Sequence, residues 1–168
     1  GGLNYIAHAD RFWACGGCPA CPGGGCGMNN TWTVEFDALK WKNMGPSGSV
    51  PRTYCEDNST YDPISKKVYY FDGSGGLYSY NYDTNAWFKI NDDLRYTYSC
   101  VVDPKRKLLF SIGHGDVFVY DIGNSNFTAQ RWTTTGGSEF ITKGAMGLEY
   151  DPAIDKIVGW HGGAVYVL

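Results

Sequence analysis

Three tryptophans, Trp41, Trp87 and Trp132, stand 46 and 45 residues apart, and each follows an aromatic–Asp pair: Phe36-Asp37, Tyr82-Asp83 and Tyr120-Asp121. Asp-Pro pairs keep the same beat at Asp62-Pro63, Asp103-Pro104 and Asp151-Pro152. The clearest copy is residues 67–90, KVYYFDGSGGLYSYNYDTNAWFKI. It reads as a strand (68–71), a Gly-rich turn (72–76), a second strand (77–82), a tight Asp-Thr-Asn turn and a third strand centred on Trp87, with one more strand expected upstream of Tyr61-Asp62-Pro63. A period in the forties with four short antiparallel strands per unit is the mark of a β-propeller blade. Such a sheet is apolar on both faces and must be covered by neighbours.

On this beat the chain forms a single all-β propeller domain over 1–168, with blades at about 1–45, 53–91, 96–133 and 146–168. Blade one has expected strands at 3–7, 11–15, 31–36 and 40–44. Residues 15–26 are too rich in Gly and Pro to continue a strand, and read as an inserted loop. A polar linker, 45–49, leads to blade two. Blade three has a longer connection, 122–130, before Arg131-Trp132. Blade four stops inside its third strand, so the chain supplies about three and three quarter blades. An open blade edge invites pairing, and a protein partner or a second copy is expected to complete the propeller.

Composition narrows the function classes. The net charge of −3, with Lys and Arg scattered singly, offers no basic stripe for a phosphate backbone, so nucleic acid is not an expected partner. No run of about 18 apolar residues exists to span a bilayer as a helix. The glycine turns join strand to strand and lack a helix N-terminus behind them, which argues against nucleotide binding.

Apolar runs ending in Gly-Gly (Phe12-Trp13-Ala14-Cys15-Gly16-Gly17 and Ile157-Val158-Gly159-Trp160-His161-Gly162-Gly163), an aromatic third strand, and a Trp shortly after a Tyr-Asp turn resemble kelch repeats. The likeness extends over nearly the whole chain as architecture. It departs in detail at Asp72-Gly73-Ser74-Gly75-Gly76 and at Gly113-His114-Gly115. It also brings in the secreted kelch-type oxidases, whose copper site uses two His and two Tyr with a Tyr–Cys cross-link; no Tyr here matches those ligands.

Six cysteines, Cys15, Cys18, Cys21, Cys26, Cys55 and Cys100, fall on loops or strand ends belonging to one propeller face. The x2 spacings admit a metal centre, but the favoured reading is three disulfides tying down a Gly-Pro loop in an oxidising compartment. Sequons at Asn29, Asn58 and Asn126 point the same way, to an extracellular or cell-surface glycoprotein. His114 and His161 occupy similar 2–3 loops on the cysteine face, and are candidate binding residues with Tyr54 and Trp160 at loop edges. Most other rings are expected in the core. No catalytic residue, metal ligand or cofactor is assigned. The expected function is a non-catalytic, disulfide-stapled module binding protein or glycan, or assembling with other chains. The competing expectations are part of a secreted oxidase or carbohydrate-active enzyme, and a subunit of an extracellular filament or coat.

Overall fold

The computed structural model describes residues 2–16, 31–52, 58–73, 76–124 and 127–168. The chain is all-β, of β-propeller type, with four successive, mainly antiparallel sheets. They fall into two compact units, Gly1–Tyr96 and Thr97–Leu168, each holding two sheets.

In the first unit, sheet one is the meander β1 (Gly2–Ile6), β2 (Arg11–Cys15), β3 (Thr31–Glu35) and β4 (Lys40–Asn43). Sheet two contains β5 (Ser47–Gly48), β6 (Asn58–Asp62), β7 (Lys67–Asp72), β8 (Gly76–Asn81) and β9 (Ala86–Asn91), in the order β5-β9-β8-β7-β6. The expected polar linker 45–49 is therefore corrected: it carries β5, which runs parallel to the outer strand β9. Asn85 holds it there. Its side-chain amide donates to the Met44 carbonyl at 2.7 Å, and its own carbonyl accepts from the Ser47 N–H at 3.1 Å.

In the second unit, β10 (Ser99–Asp103), β11 (Leu108–Gly113), β12 (Asp116–Asp121) and β13 (Gln130–Trp132) form sheet three; β14 (Gly147–Asp151), β15 (Lys156–His161) and β16 (Ala164–Val167) form sheet four. Among the described residues the fourth sheet has three strands. Between them lies a short helix that the repeat gave no sign of, α1 (Ser138–Ile141), with Phe140 buried.

The Asp-Pro beat is explained by the turn after each sheet's first strand. Asp62 accepts the Ile64 and Ser65 N–H groups at 3.0 and 3.2 Å, Asp103 accepts Arg106 N–H at 2.9 Å, and Asp151 accepts Ala153 N–H at 2.8 Å. Proline presets the backbone and the carboxylate takes N–H groups the turn would leave unpaired. Each turn ends in one left-handed residue, Asp10, Lys66, Lys107 and Asp155. The β11–β12 and β15–β16 hairpins close through His114-Gly115 and Gly162-Gly163, all four at positive φ, as two-residue turns matched to strand twist require.

Within the first unit, Ile6, Trp13 and Cys15 pack against Val68, Tyr70, Tyr78, Tyr80 and Trp87. Trp87 also donates from Nε1 to Thr31 Oγ1 at 3.0 Å. A Cβ on Gly2 would lie 1.7 Å from Ser59 Oγ, so only glycine lets β1 approach β6 this closely. Within the second unit, Ile112, Val117 and Val119 meet Phe140, Met146, Leu148 and Tyr166. Phe140 stacks on Tyr166 with centroids 4.6 Å apart and lies over Gly159, where a Cβ would come within 2.3 Å of the ring.

Candidate functional site

Aligning the four strand–turn–strand segments makes corresponding faces comparable. Leu3, Tyr5, Phe12 and Ala14 of sheet one match Ser59, Tyr61, Val68 and Tyr70 of sheet two, and Leu148, Tyr150, Ile157 and Gly159 of sheet four. In sheets two and four this face packs on the sheet before it in the same unit. In sheet one no described residue of the same unit covers it. Leu3 is 63% exposed; Tyr5, Phe12 and Trp41 are exposed beside it, linked through the register Leu3↔Ala14, Tyr5↔Phe12, Phe12↔Val34 and Val34↔Trp41. Phe12 lies edge-on to Tyr5 and Phe36 at 5.6 and 5.5 Å, so the rings form one patch.

In sheet four it is the opposite face that no described residue of the same unit covers. Trp160 pairs with Val165, and Val158 with Val167; Val165 is 69% exposed, and Trp160 and Val167 are exposed with it. The Trp160 indole lies across Gly147, whose Cβ would fall 1.9 Å from the ring. Both sheets thus carry clustered apolar side chains at the surface, of the kind that monomers rarely leave in water.

A second pattern runs along the turns after the first strands, each reaching toward the next sheet of its unit. In the first unit His8 bonds Tyr61 Oη through Nδ1 at 2.7 Å and Asp83 Oδ1 through Nε2 at 2.9 Å, with its ring stacked on Tyr61. In the second unit Arg106 grips Asp155 with both Nη atoms, at 2.9 and 3.0 Å, and Lys105 adds a 2.5 Å contact. Tyr150 donates to Asp155 at 2.7 Å. These donors, Arg106 first, hold the Asp155 carboxyl well below the usual carboxylate range. Sheet one presents the same Tyr–Asp pair: Tyr5 donates to Asp10 Oδ1 at 2.6 Å, and that bond raises the Tyr5 phenol just as Asp155 raises that of Tyr150.

Of the residues singled out in the sequence, Tyr54, Asn29, Asn126 and Cys18, Cys21, Cys26 and Cys55 lie outside the described residues. Cys15 and Cys100 are buried at strand ends, where burial pushes the Cys100 thiol up; no disulfide joins two described residues. Asn58 is half-buried at the start of β6 rather than on a loop. Trp160 sits on the bare face of sheet four.

The equivalence of the two histidines does not hold. His114 occupies the first position of its turn, whereas His161 ends a strand opposite Ala164 and so matches Gly113. His114 is engaged in its own unit: its N–H donates to the Lys143 carbonyl at 3.0 Å, its Nε2 contacts Thr97 Oγ1, and its ring lies against Tyr98. Among the described residues, no group of three or more His, Cys, Asp or Glu side chains is placed to hold a metal ion. No helix is long and apolar enough to cross a membrane.

Sequence reasoning missed the bare patch on sheet one and the Tyr5–Asp10 and His8–Tyr61–Asp83 groups. The signal was present: β1 and β2 are apolar on both faces, Leu3 and Tyr5 against Ile6, Phe12 and Ala14 against Trp13 and Cys15, which marks strands covered on both sides. The fold and surface together define a run of propeller-type sheets with exposed apolar patches on sheets one and four. In comparisons with known proteins, no family model and no curated protein matches this chain.

Proposed function

We propose that this chain is a non-catalytic assembly module of kelch-like propeller type, working outside the cell or at its surface and binding other proteins through its outer sheets. The observation that supports it is the pair of bare apolar faces, on sheet one and on sheet four. The cysteine count and the sequons support the oxidising compartment; the exposed rings Trp41 and Trp160 would serve a glycan as well as a protein partner. A subunit of an extracellular filament or coat is a second reading favoured by the same observation, since two unlike bare faces make head-to-tail contacts that need not close.

Sedimentation velocity tests the reading on the wild-type chain and on the Phe12→Ser/Trp41→Ser and Trp160→Ser/Val165→Ser variants. Weak, concentration-dependent association should appear in the wild type and fall in both variants, with circular dichroism unchanged. A wild type whose association ignores both patches would refute it. Intact mass with and without reductant and glycosidase tests the compartment: three disulfides and attached sugar are expected, and six reduced thiols would place the chain elsewhere.

A further inference from the structure

We infer that Tyr61 is a redox-active tyrosine: it gives one electron to a diffusible one-electron oxidant while its phenol proton passes to His8 Nδ1, with Asp83 holding the imidazole in the tautomer that receives it. The site lies wholly within the first unit and shares no residue with the exposed patches, so it stands apart from the assembly reading.

The tautomer follows from the partners. His8, in the turn between β1 and β2, has Nε2 at 2.9 Å from Asp83 Oδ1 in the turn between β8 and β9, and Nδ1 at 2.7 Å from the Tyr61 hydroxyl on β6. A carboxylate only accepts, so the imidazole proton sits on Nε2 and Nδ1 is left to accept from the phenol. An aspartate thus orients a histidine toward a hydroxyl whose proton it takes, the logic of a catalytic triad. The ring is held in place, stacked on Tyr61 at 6.1 Å and edge-on to Tyr82 at 5.9 Å. Asn4 donates to Ser59 Oγ at 2.6 Å and fixes β1 on β6.

Burial, above all, raises the Tyr61 phenol; the His8 backbone pulls against it, and Asp62 and Asp83 add to it, so phenolate is disfavoured on its own. Loss of an electron reverses this, because the oxidised phenol is strongly acidic. Its O–H bond breaks and an N–H bond forms at Nδ1. A neutral phenoxyl radical and an imidazolium remain, beside an Asp83 side chain 57% exposed to water, and the oxidant is reduced by one electron. Other tyrosines have poorer acceptors. Tyr5, Tyr98 and Tyr150 donate to the carboxylates of Asp10, Asp116 and Asp155, weaker bases as a class than imidazole, and Tyr80 donates to the neutral amide of Asn85. Tyr61 also packs against the cluster of Trp13, Tyr70, Tyr80 and Trp87, whose rings lie 5.1 to 5.8 Å apart. An electron vacancy formed in that cluster therefore has a path of touching rings to a phenol able to shed its proton.

Flash photolysis of the full chain with ruthenium tris(bipyridine) and a sacrificial acceptor at neutral pH tests this, read by electron paramagnetic resonance and by mass mapping of the spin-trapped peptide. A neutral tyrosyl radical should map to Tyr61, vanish from that peptide in Tyr61→Phe, and form more slowly in heavy water. Its formation should slow at least about tenfold in His8→Gln, which keeps a hydrogen-bonding side chain but no base, and less in Asp83→Asn, which frees the tautomer. Free imidazole should restore the rate in His8→Gly. Circular dichroism checks each fold; should the His8 variants unfold, Asp83→Asn and the solvent isotope effect decide, since Asp83 is exposed. A radical mapping elsewhere in the wild type would overturn the inference. So would a Tyr61 radical formed as fast in folded His8→Gln and Asp83→Asn, with no isotope effect, which would leave His8 a structural tie only.

Discussion

In the first unit one sheet is fixed to the next by stacked rings and by hydrogen bonds to a histidine. Trp13, Tyr70, Tyr80 and Trp87 meet with centroids 5.1 to 5.8 Å apart, and His8 ties Tyr61 to Asp83 at the turn. In the second unit the inner contact mixes aliphatic side chains with the Phe140 ring of α1 stacked on Tyr166, and the turn is closed by an exposed ion network centred on Asp155. The comparison teaches that the two units share a geometry, a turn reaching forward to the next sheet, while its chemistry differs: His8 meets Tyr61 and Asp83 in one, and Lys105 and Arg106 meet Asp155 in the other. Aromatic packing is indifferent to salt and acid. An exposed ion network is not.

The largest effect should come from Trp87→Ala, which removes a fully buried ring and the hydrogen bond to Thr31. A loss of about 3–5 kcal/mol is expected from chemical denaturation. Hydrogen exchange should place that loss in the first unit; equal loss of protection in both would show that the units unfold together and that the contrast is one of chemistry alone.

How much of this was legible follows from the same residues. The strands and the turn beat were readable because alternation and Asp-Pro turns are local. β5 was not: Ser47-Gly48 has no apolar alternation, and its place depends on the Asn85 side chain and carbonyl, some forty residues away. α1 is one turn long, and only burial of Phe140 marks it. Trp132 repeats the spacing of Trp87, yet it lies on the other face: it pairs with Val117, whose face looks to sheet four, whereas Trp87 pairs with Tyr80, whose face looks to sheet one. The exposed patch left its signal in two strands apolar on both faces, whereas the Tyr5–Asp10 pair could be recognised only by comparison with the other sheets.

A smaller loss, about 1–3 kcal/mol, is expected for Gly159→Ala, because the new methyl would meet the Phe140 ring. Thermal melts monitored through Trp160 should report it. A stable Gly159→Ala chain would mean that Phe140 can shift, and that the aliphatic contact is looser than the aromatic one.

His8→Ala tests the turn of the first unit and should cost about 1 kcal/mol, the scale of a net hydrogen bond. Asp155→Asn tests the turn of the second unit, an exposed ion network. Because the Asp155 pKa is depressed in the fold, its contribution is present above the unfolded aspartate value of about 4 and is lost as pH falls below it. Wild-type stability should therefore drop through that acid window and with added salt, and Asp155→Asn should flatten both responses. An identical acid limb in the two proteins would remove the ion network from the comparison.

The smallest effect on stability completes the argument, because it falls on a tryptophan at the same point of the repeat as Trp87. Trp41 is 55% exposed where Trp87 is fully buried, although each pairs with a residue of its sheet's third strand on the face that looks toward a preceding sheet. Trp41→Ala should thus cost under about 0.5 kcal/mol. If the exposed rings of sheet one form the assembly surface proposed above, the same substitution should also lower the association of the wild-type chain, since burying Trp41 would then supply the apolar gain that Trp87 supplies within its unit. A Trp41→Ala chain that unfolds easily would show that the ring already stabilises the fold. One that folds and still associates fully would confine the interface to Tyr5 and Phe12. Loss of association at constant stability would make Trp41 the counterpart of Trp87 in a blade-to-blade contact completed by another molecule.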